Sequence, residues 1–191
     1  GALSVPDRHG VTPGSMSISF SRPSALTLAA AGAVLGVILF IVWVNFIVAA
    51  WSNAVNLTDG LDGLATGASI FVFGAYTIIS YFQLVQSCWG DTVNQGACFP
   101  TRDPLGLAVF CASLIGALAG FLWWNASPAQ IFMGDTGSLA IGGAVAGMSI
   151  LTNTEFLAVI IGGLFVVTTM SDVIQIGVFK MTHKRVFRMA P

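Results

Sequence analysis

The chain has 191 residues, of which 55% are hydrophobic and 8% are charged, and its formal net charge is −1. Soluble domains carry about 25% charged residues, so this composition excludes a soluble domain with an ordinary surface. The sequence has no basic stripe, which gives no indication of nucleic-acid binding. With a mean hydropathy of +0.87, the chain is predicted to be an all-α polytopic membrane protein.

The N-terminal part differs in character from the rest. Residues 1–24 are polar and rich in Pro, Gly and Ser, and we predict that they form an external segment. Within it, residues 15–20 alternate polar and apolar side chains, which is typical of a short strand or hairpin on the membrane surface. Both chain ends look truncated, so residues 25–191 are predicted to be a fragment of a transmembrane catalytic domain.

About five transmembrane helices are predicted after residue 24. Apolar runs cover residues 25–50, 64–86, 105–124 and 156–179, and a span needs about 20 such residues. The remaining segment, 137–152, is shorter, at about 24 Å for a rise of 1.5 Å per residue. A re-entrant segment is therefore the alternative at that position.

Basic residues near the C-terminus set the predicted topology. Four of the seven Lys and Arg residues lie there, at Lys180, Lys184, Arg185 and Arg188. Because short cytoplasmic segments carry an excess of Lys and Arg, we expect this tail to be cytoplasmic. Counting back through five spans places the turns 51–63 and 125–136 on the same cytoplasmic face and the loop 87–104 outside.

Three features of the sequence each allow two interpretations. Cys88 and Cys98 flank the predicted external loop and form a disulfide if that compartment is oxidising, or else remain free thiols. Asp172, inside the last span, belongs to an ion or proton pathway or is a buried carboxyl held by polar neighbours. Gly-xxx-Gly pairs allow close helix packing, either within one bundle or across a homodimer. The pairs are Gly32/Gly36, Gly63/Gly67, Gly116/Gly120 and Gly143/Gly147.

The two cytoplasmic turns carry the residues suited to chemistry. The run NLTDGLDGLATG at 56–67 contains Asp59 and Asp62, and FMGDTGS at 132–138 contains Asp135 at a predicted helix start. Helix N-termini bind phosphate, and Mg²⁺ takes one or two carboxylates plus substrate phosphate oxygens. The pattern predicts metal-assisted chemistry on a phosphorylated substrate. The alternative is that the acids are only caps, with Gly60 ending one helix and Asp62 capping the next.

Three stretches resemble the signatures of the phospho-N-acetylmuramoyl-pentapeptide transferases. They are NAVNLTDGLDGLA at 53–65, PAQIFMGDTGSL at 128–139 and RVFRMAP at 185–191. The turn motifs are shared with the wider superfamily of polyprenyl-phosphate sugar-1-phosphate transferases, whereas the NLTD form and the C-terminal run favour the muramoyl-pentapeptide branch.

The resemblance implies a bacterial inner-membrane enzyme with a cytoplasmic active face. Such an enzyme transfers phospho-MurNAc-pentapeptide from UDP-MurNAc-pentapeptide to undecaprenyl phosphate. The products are lipid I and UMP, and Mg²⁺ is the cofactor.

The matching positions imply roles for individual residues. Asp135 would bind Mg²⁺, and Asp59, supported by Asn56, would lie beside the metal and the diphosphate. A uridine site would be lined by Gly60, Leu61, Asp62, Asn125 and Phe132. Two adjacent Asp residues of an earlier loop and a His-rich motif of the family are not in this sequence, and Thr168 stands where the family usually has an acid. We therefore predict that this chain is inactive alone.

Two other functions stay open from the sequence. A related transferase would use a UDP-N-acetylhexosamine instead of the muramoyl-pentapeptide donor. A non-catalytic channel or transporter subunit would suit Asp172 and the short fourth segment. The enzyme interpretation requires Asp135, whereas the channel interpretation requires Asp172.

Overall fold

The computed structural model describes residues 15–20, 27–88 and 98–182. After a 3₁₀ turn at Leu28–Ala31, six helices follow: α1 Ala33–Thr58, α2 Leu64–Val85, α3 Pro104–Asn125, α4 Gly134–Leu151, α5 Glu155–Ile161 and α6 Gly163–Thr182. Four of these helices, α1, α2, α3 and α6, are long and apolar enough to cross a membrane. The predicted all-helical membrane fold is thus confirmed, while the count of five spans is not.

The predicted N-terminal hairpin is not confirmed. Within the described ranges no strand is formed, and Ser17 makes only an isolated antiparallel bridge with Thr27. Residues 1–14 and 21–26 lie outside the described residues. The same is true of 183–191, which hold most of the predicted basic tail and the C-terminal signature.

The helices pack as two pairs around one core. α1 packs mainly against α4, and α2 packs mainly against α3. Large buried side chains from several helices join the pairs, among them Trp51, Phe73, Tyr76 and Phe165. α3 starts where the sequence favours a start, because Asp103 accepts a hydrogen bond from the backbone N–H of Gly106 and a proline follows it,.

Close contact between α1 and α4 depends on Gly142. A Cβ atom at this position would lie 2.4 Å from Ser52 Cα and 2.5 Å from the carbonyl oxygen of Trp51. Ser52 Oγ also donates a hydrogen bond to the carbonyl of Leu139 at 3.2 Å. At Gly147, by contrast, a Cβ would meet nothing within 4 Å. The glycine that permits close packing therefore lies just before the predicted Gly143/Gly147 pair, and it packs against a helix of the same chain.

Two predicted spans have different bounds in the structure. α1 begins and ends later than the predicted segment 25–50, so Ser52, Asn53 and Asn56 are helical rather than part of a turn. Asn53 is accommodated because its Nδ2 donates to the carbonyl of Ala49 in the preceding turn. The predicted span 156–179 is interrupted at Gly162, where a Cβ would lie 2.4 Å from the Trp51 ring.

A polar network and a disulfide lie where α2 ends, and we call this region the disulfide end. Cys88 and Cys98 form the disulfide that the sequence had left open. Nearby, Gln83 is buried and uses both ends of its amide. Its Nε2 donates to the carbonyl of Thr152 at 2.9 Å, and its Oε1 accepts from the hydroxyl of Thr101 at 2.9 Å.

Glu155 joins the N-terminal segment to the same disulfide end. Its Oε2 accepts a hydrogen bond from the backbone N–H of Ser19 at 3.0 Å, and the N–H of Phe156 donates to the carbonyl of Ser19 at 3.2 Å. Glu155 is only 8% exposed. Burial raises the pKa of its carboxyl, and the hydrogen bonds it accepts oppose that shift,.

Candidate active site

The two acidic turns meet at the end of the bundle opposite the disulfide. α1 ends at Thr58 and α2 begins at Leu64, while α3 ends at Asn125 and α4 begins at Gly134. Both connections therefore lie at one end, which we call the acidic end after Asp59, Asp62 and Asp135. This is the juxtaposition that the predicted topology requires.

Asn56 links the first motif to the second. Its Nδ2 donates to Asp135 Oδ1 at 3.0 Å and to Ser138 Oγ at 2.9 Å. The bond crosses from the last turn of α1 to the first turn of α4. Because an ionised carboxylate only accepts hydrogen bonds, the amide nitrogen of Asn56 must face Asp135. The resemblance implied that Asn56 supports Asp59, whereas in the structure the side chain of Asn56 bonds to Asp135 and Ser138.

Asp59 and Asp135 place two negative charges near each other. Asp59 follows the last residue of α1 and is half-buried, while Asp135 is exposed. Burial raises the pKa of the Asp59 carboxyl, and the charge of Asp135 raises it further,. An arrangement that disfavours two ionised carboxylates favours a bound cation, because the cation offsets the repulsion between them.

The described side chains at the acidic end supply only part of the ligand set of a Mg²⁺ ion. Among the described residues, no group of three or more His, Cys, Asp or Glu side chains could hold a metal ion by itself. Mg²⁺ is usually held by one or two carboxylates plus substrate phosphates and water. Asp59 and Asp135 supply such carboxylates, so the remaining ligands would come from substrate, water or other parts of the protein.

Asp62 connects the two turns and does not cap α2. Its Oδ2 accepts a hydrogen bond from the backbone N–H of Ala129 at 3.1 Å. The residue before α2 is Gly63, with a φ of +73° that favours glycine, and no side chain caps this helix,. The predicted cap at Asp62 is therefore wrong. Asp59, rather than Gly60, takes the C-cap position of α1.

Asn125 is buried behind the second turn. Its Oδ1 accepts from the hydroxyl of Thr66 at 2.7 Å, and its Nδ2 donates to the carbonyl of Ile131 at 3.0 Å. The adjacent Phe132 is 74% exposed. Asn125 thus ties the exposed aromatic ring and its loop to α2. Its predicted contact with a nucleoside stays a prediction, as do those of Gly60, Leu61, Asp62 and Phe132.

Two hydroxyl contacts at the acidic end were not predicted. Ser138 is fully buried and shares Asn56 with Asp135. The sequence indicates this contact only through spacing. Ser138 follows Asp135 by three residues, and residues three apart lie on the same face of a helix. Thr58 and Thr168 approach within 2.6 Å between their Oγ1 atoms and join α1 to α6.

One turn beyond Thr168, Asp172 is 8% exposed and has no hydrogen bond among the described residues.

The fold and the site define a polytopic helical membrane protein with an acidic site at one end of its bundle. Residues 12–153 match the model of the family described as Glycosyl transferase family 4. The chain belongs to this family.

Curated relatives cover the whole chain and share one name, phospho-N-acetylmuramoyl-pentapeptide-transferase. The protein of Beutenbergia cavernae is 62% identical over 190 residues, which make up 100% of this chain and 53% of the relative. That of Renibacterium salmoninarum is 58% identical over 193 residues, with coverages of 100% and 52%. That of Kocuria rhizophila is 56% identical over 190 residues, with coverages of 99% and 50%. The chain therefore spans about half the length of the curated relatives it matches.

Proposed function

We propose that the full-length protein containing this chain transfers phospho-MurNAc-pentapeptide from UDP-MurNAc-pentapeptide to undecaprenyl phosphate, giving lipid I and UMP. The observation that carries this proposal is the bond from Asn56 to Asp135, which joins the two signature turns into one acidic site. The name shared by the relatives supports the same activity.

We propose that five helices cross the bacterial inner membrane and that the acidic end faces the cytoplasm. The fifth crossing would be α4, which has 18 residues and a length of about 27 Å at 1.5 Å per residue. Contacts of Ser52 with Leu139 and of Asn56 with Asp135 run α4 antiparallel to α1. The disulfide lies at the opposite end, which suits an oxidising exterior. Residues 1–24 would then be external, and residues 25–191 would form the membrane part.

Asp135 would be the direct ligand of Mg²⁺, with Asp59 beside the metal and the diphosphate. When bound, Mg²⁺ would neutralise the charge that develops on the phosphates during transfer. Asn56 would orient Asp135 by donating to Oδ1, which leaves the second carboxylate oxygen free to bind the metal. The half-buried Asp59 would hold negative charge close to the metal without depending on a protein cation.

The nucleoside would bind between the turns that Asp62 connects. Phe132 presents an exposed ring on which a uracil base could stack,. Gly60 and Leu61 lie in the exposed first turn and would offer backbone groups. Asn125 would contribute mainly by fixing the loop that carries Phe132, because both ends of its amide are bonded within the protein.

The chain alone is proposed to be inactive. Within the described residues, the groups proposed for the metal and the diphosphate are the carboxylates of Asp59 and Asp135 and the amide of Asn56. These are fewer groups than a diphosphate with its metal needs for positioning and charge neutralisation. About half of each relative lies outside the region that this chain matches. Turnover of UDP-MurNAc-pentapeptide by the chain alone, in micelles containing undecaprenyl phosphate, would contradict this part of the proposal.

The decisive experiment compares two Asp→Asn variants of the full-length protein. We expect Asp135→Asn to lower UMP release from UDP-MurNAc-pentapeptide by about 10³-fold, because a preorganised electrostatic contact is lost. Asp103→Asn is the control, since Asp103 only caps α3 at the other end and Asn caps a helix equally well,. A normal rate and a normal Mg²⁺ requirement in Asp135→Asn would refute the proposal.

A further inference from the structure

Ser138 is a buried serine of α4 at the acidic end, and its side chain is bonded to α1. The residue is fully buried and lies one turn after Asp135, on the face of α4 that meets α1. Its Oγ is 3.2 Å from the carbonyl oxygen of Gly134 and 3.3 Å from that of Asp135. A serine hydroxyl has one hydrogen to donate, and here that hydrogen goes to the backbone of its own helix.

This donation fixes what Ser138 offers to α1. With its hydrogen used on a backbone carbonyl, the oxygen presents lone pairs to Asn56 Nδ2 at 2.9 Å. The Asn56 amide has two hydrogens, and the second is taken by Asp135 Oδ1 at 3.0 Å,. Both hydrogens of the amide are therefore bound to acceptors on one helix, and the amide plane has one favourable orientation.

From this geometry we propose that Ser138 is a positioning residue for the metal-binding carboxylate of Asp135 and acts through Asn56. The inference rests on the proposed function, because it concerns the same Mg²⁺ site. Ser138 holds the Asn56 amide, and the amide holds one oxygen of the Asp135 carboxylate. The other oxygen then keeps a fixed direction toward the site. Neighbours that orient a metal ligand in this way typically change metal affinity or activity about 10- to 100-fold when removed.

Removing the hydroxyl is expected to release the amide without removing any metal ligand. In Ser138→Ala, one hydrogen of Asn56 loses its acceptor, and the amide becomes free to rotate or to bind water. The Asp135 carboxylate can then adopt more than one orientation, and only one of these suits the metal. We expect the affinity of the full-length protein for Mn²⁺, measured by electron paramagnetic resonance without substrate, to fall by about 10-fold.

Matched variants separate positioning from packing. Ser149→Ala removes a hydroxyl from another fully buried serine of α4, whose Oγ donates only to the carbonyl of Ala146 at 2.8 Å. It is expected to leave Mn²⁺ affinity unchanged. Ser138→Thr keeps a hydroxyl and is expected to restore part of the affinity. In an Asn56→Ala background, Ser138→Ala is expected to add little, because residues that act through one another are not additive.

The outcomes distinguish this inference from the proposed function. Normal Mn²⁺ affinity in a folded Ser138→Ala protein would overturn the inference, and so would a full effect of Ser138→Ala in the Asn56→Ala background. Loss of thermal stability with unchanged affinity would assign Ser138 to packing and also overturn it. In each of these cases, a strong effect of Asp135→Asn would leave the proposed function standing. A normal rate in Asp135→Asn would refute the proposed function itself.

Discussion

The two ends of the helix bundle treat their polar side chains in opposite ways. At the disulfide end, Gln83 and Glu155 are buried and bonded to partners from distant parts of the chain. At the acidic end, burial raises the pKa of Asp59, and the charge of the exposed Asp135 raises it further. The first arrangement satisfies each group within the protein, whereas the second retains a repulsion that the described residues do not relieve.

This difference indicates which end serves stability and which serves binding. Buried polar groups that are fully bonded make a structure rigid, and removing one partner is costly. A half-buried carboxylate close to a second negative charge weakens the folded state, and such costs concentrate at functional sites. The comparison therefore predicts that substitutions at the acidic end change activity and that substitutions at the disulfide end change stability.

Among the substitutions that test this comparison of the two ends, the largest effect is expected from Asn56→Ala. This substitution removes the bonds to Asp135 and Ser138 and should lower the transfer rate of the full-length protein by about 10²-fold, with little loss of stability. Asn53→Ala is the control, because Asn53 lies one turn earlier in α1 and bonds only to its own helix. The measurement is the rate of UMP release. Equal rates for the two variants would contradict the prediction that substitutions at the acidic end change activity.

The next largest effect is expected from Gly142→Ala, which tests how the acidic end is assembled. The added Cβ would lie 2.4 Å from Ser52 Cα, so α1 and α4 must separate. We expect a loss of about 3 kcal/mol in the free energy of unfolding, the upper part of the usual range for overpacking. Because this contact sets the register of Asn56 against Asp135, activity should fall as well.

Gly147→Ala provides the control on the same helix. Its Cβ would meet nothing within 4 Å, so alanine should be neutral or stabilise α4 by about 0.5–1 kcal/mol. The measurement is the unfolding midpoint of each full-length variant in lipid nanodiscs. Equal midpoints for Gly142→Ala and Gly147→Ala would show that α1 and α4 do not pack closely at Gly142.

A smaller effect is expected from Gln83→Leu at the disulfide end. The substitution leaves the carbonyl of Thr152 and the hydroxyl of Thr101 without their partner, which should cost about 2 kcal/mol of stability. The transfer rate per folded molecule should stay unchanged. Gln86→Leu is the control, since the bonds found for Gln86 in the described residues are made by its backbone. A lower rate in Gln83→Leu at full stability would contradict the assignment of this end to stability.

The sequence predicted the apolar helices best where polar residues bound them on both sides. α2 and α3 begin and end within a residue or so of the predicted bounds, because Asp, Gly and Pro flank each apolar run. The predicted bounds of α1 were too early at both ends. Hydropathy does not show that the apolar residues before Gly32 lie outside the helix, or that Asn53 and Asn56 lie inside it. The break at Gly162 depends on the ring of Trp51, which is distant in sequence.

The acidic end was predictable in its members but not in its bonds. Acidic residues among glycines are rare in an apolar chain, so Asp59, Asp62 and Asp135 stood out. Which acid bonds to Ala129 and which to Asn56 depends on helix register, which the sequence does not show. The polar network at the disulfide end was missed for a related reason. Its Gln, Ser and Thr residues are ordinary in composition, and only the fold brings Gln83 to Thr152.

The smallest effect is expected from Glu155→Gln and is a change in pH dependence. Burial raises the pKa of Glu155 in the folded state, so the folded protein binds this proton more readily than the unfolded chain. The resulting stabilisation is complete below the ordinary pKa of glutamate, about 4.3, and is lost as pH rises through the raised pKa. Glutamine cannot ionise, yet its side-chain oxygen can still accept from Ser19.

The unfolding midpoint of Glu155→Gln should therefore fall less steeply across this window than that of the unsubstituted protein. Because Asp59 titrates in both proteins, only the difference between the two curves reports on Glu155, and parallel curves would show that burial does not control this carboxyl.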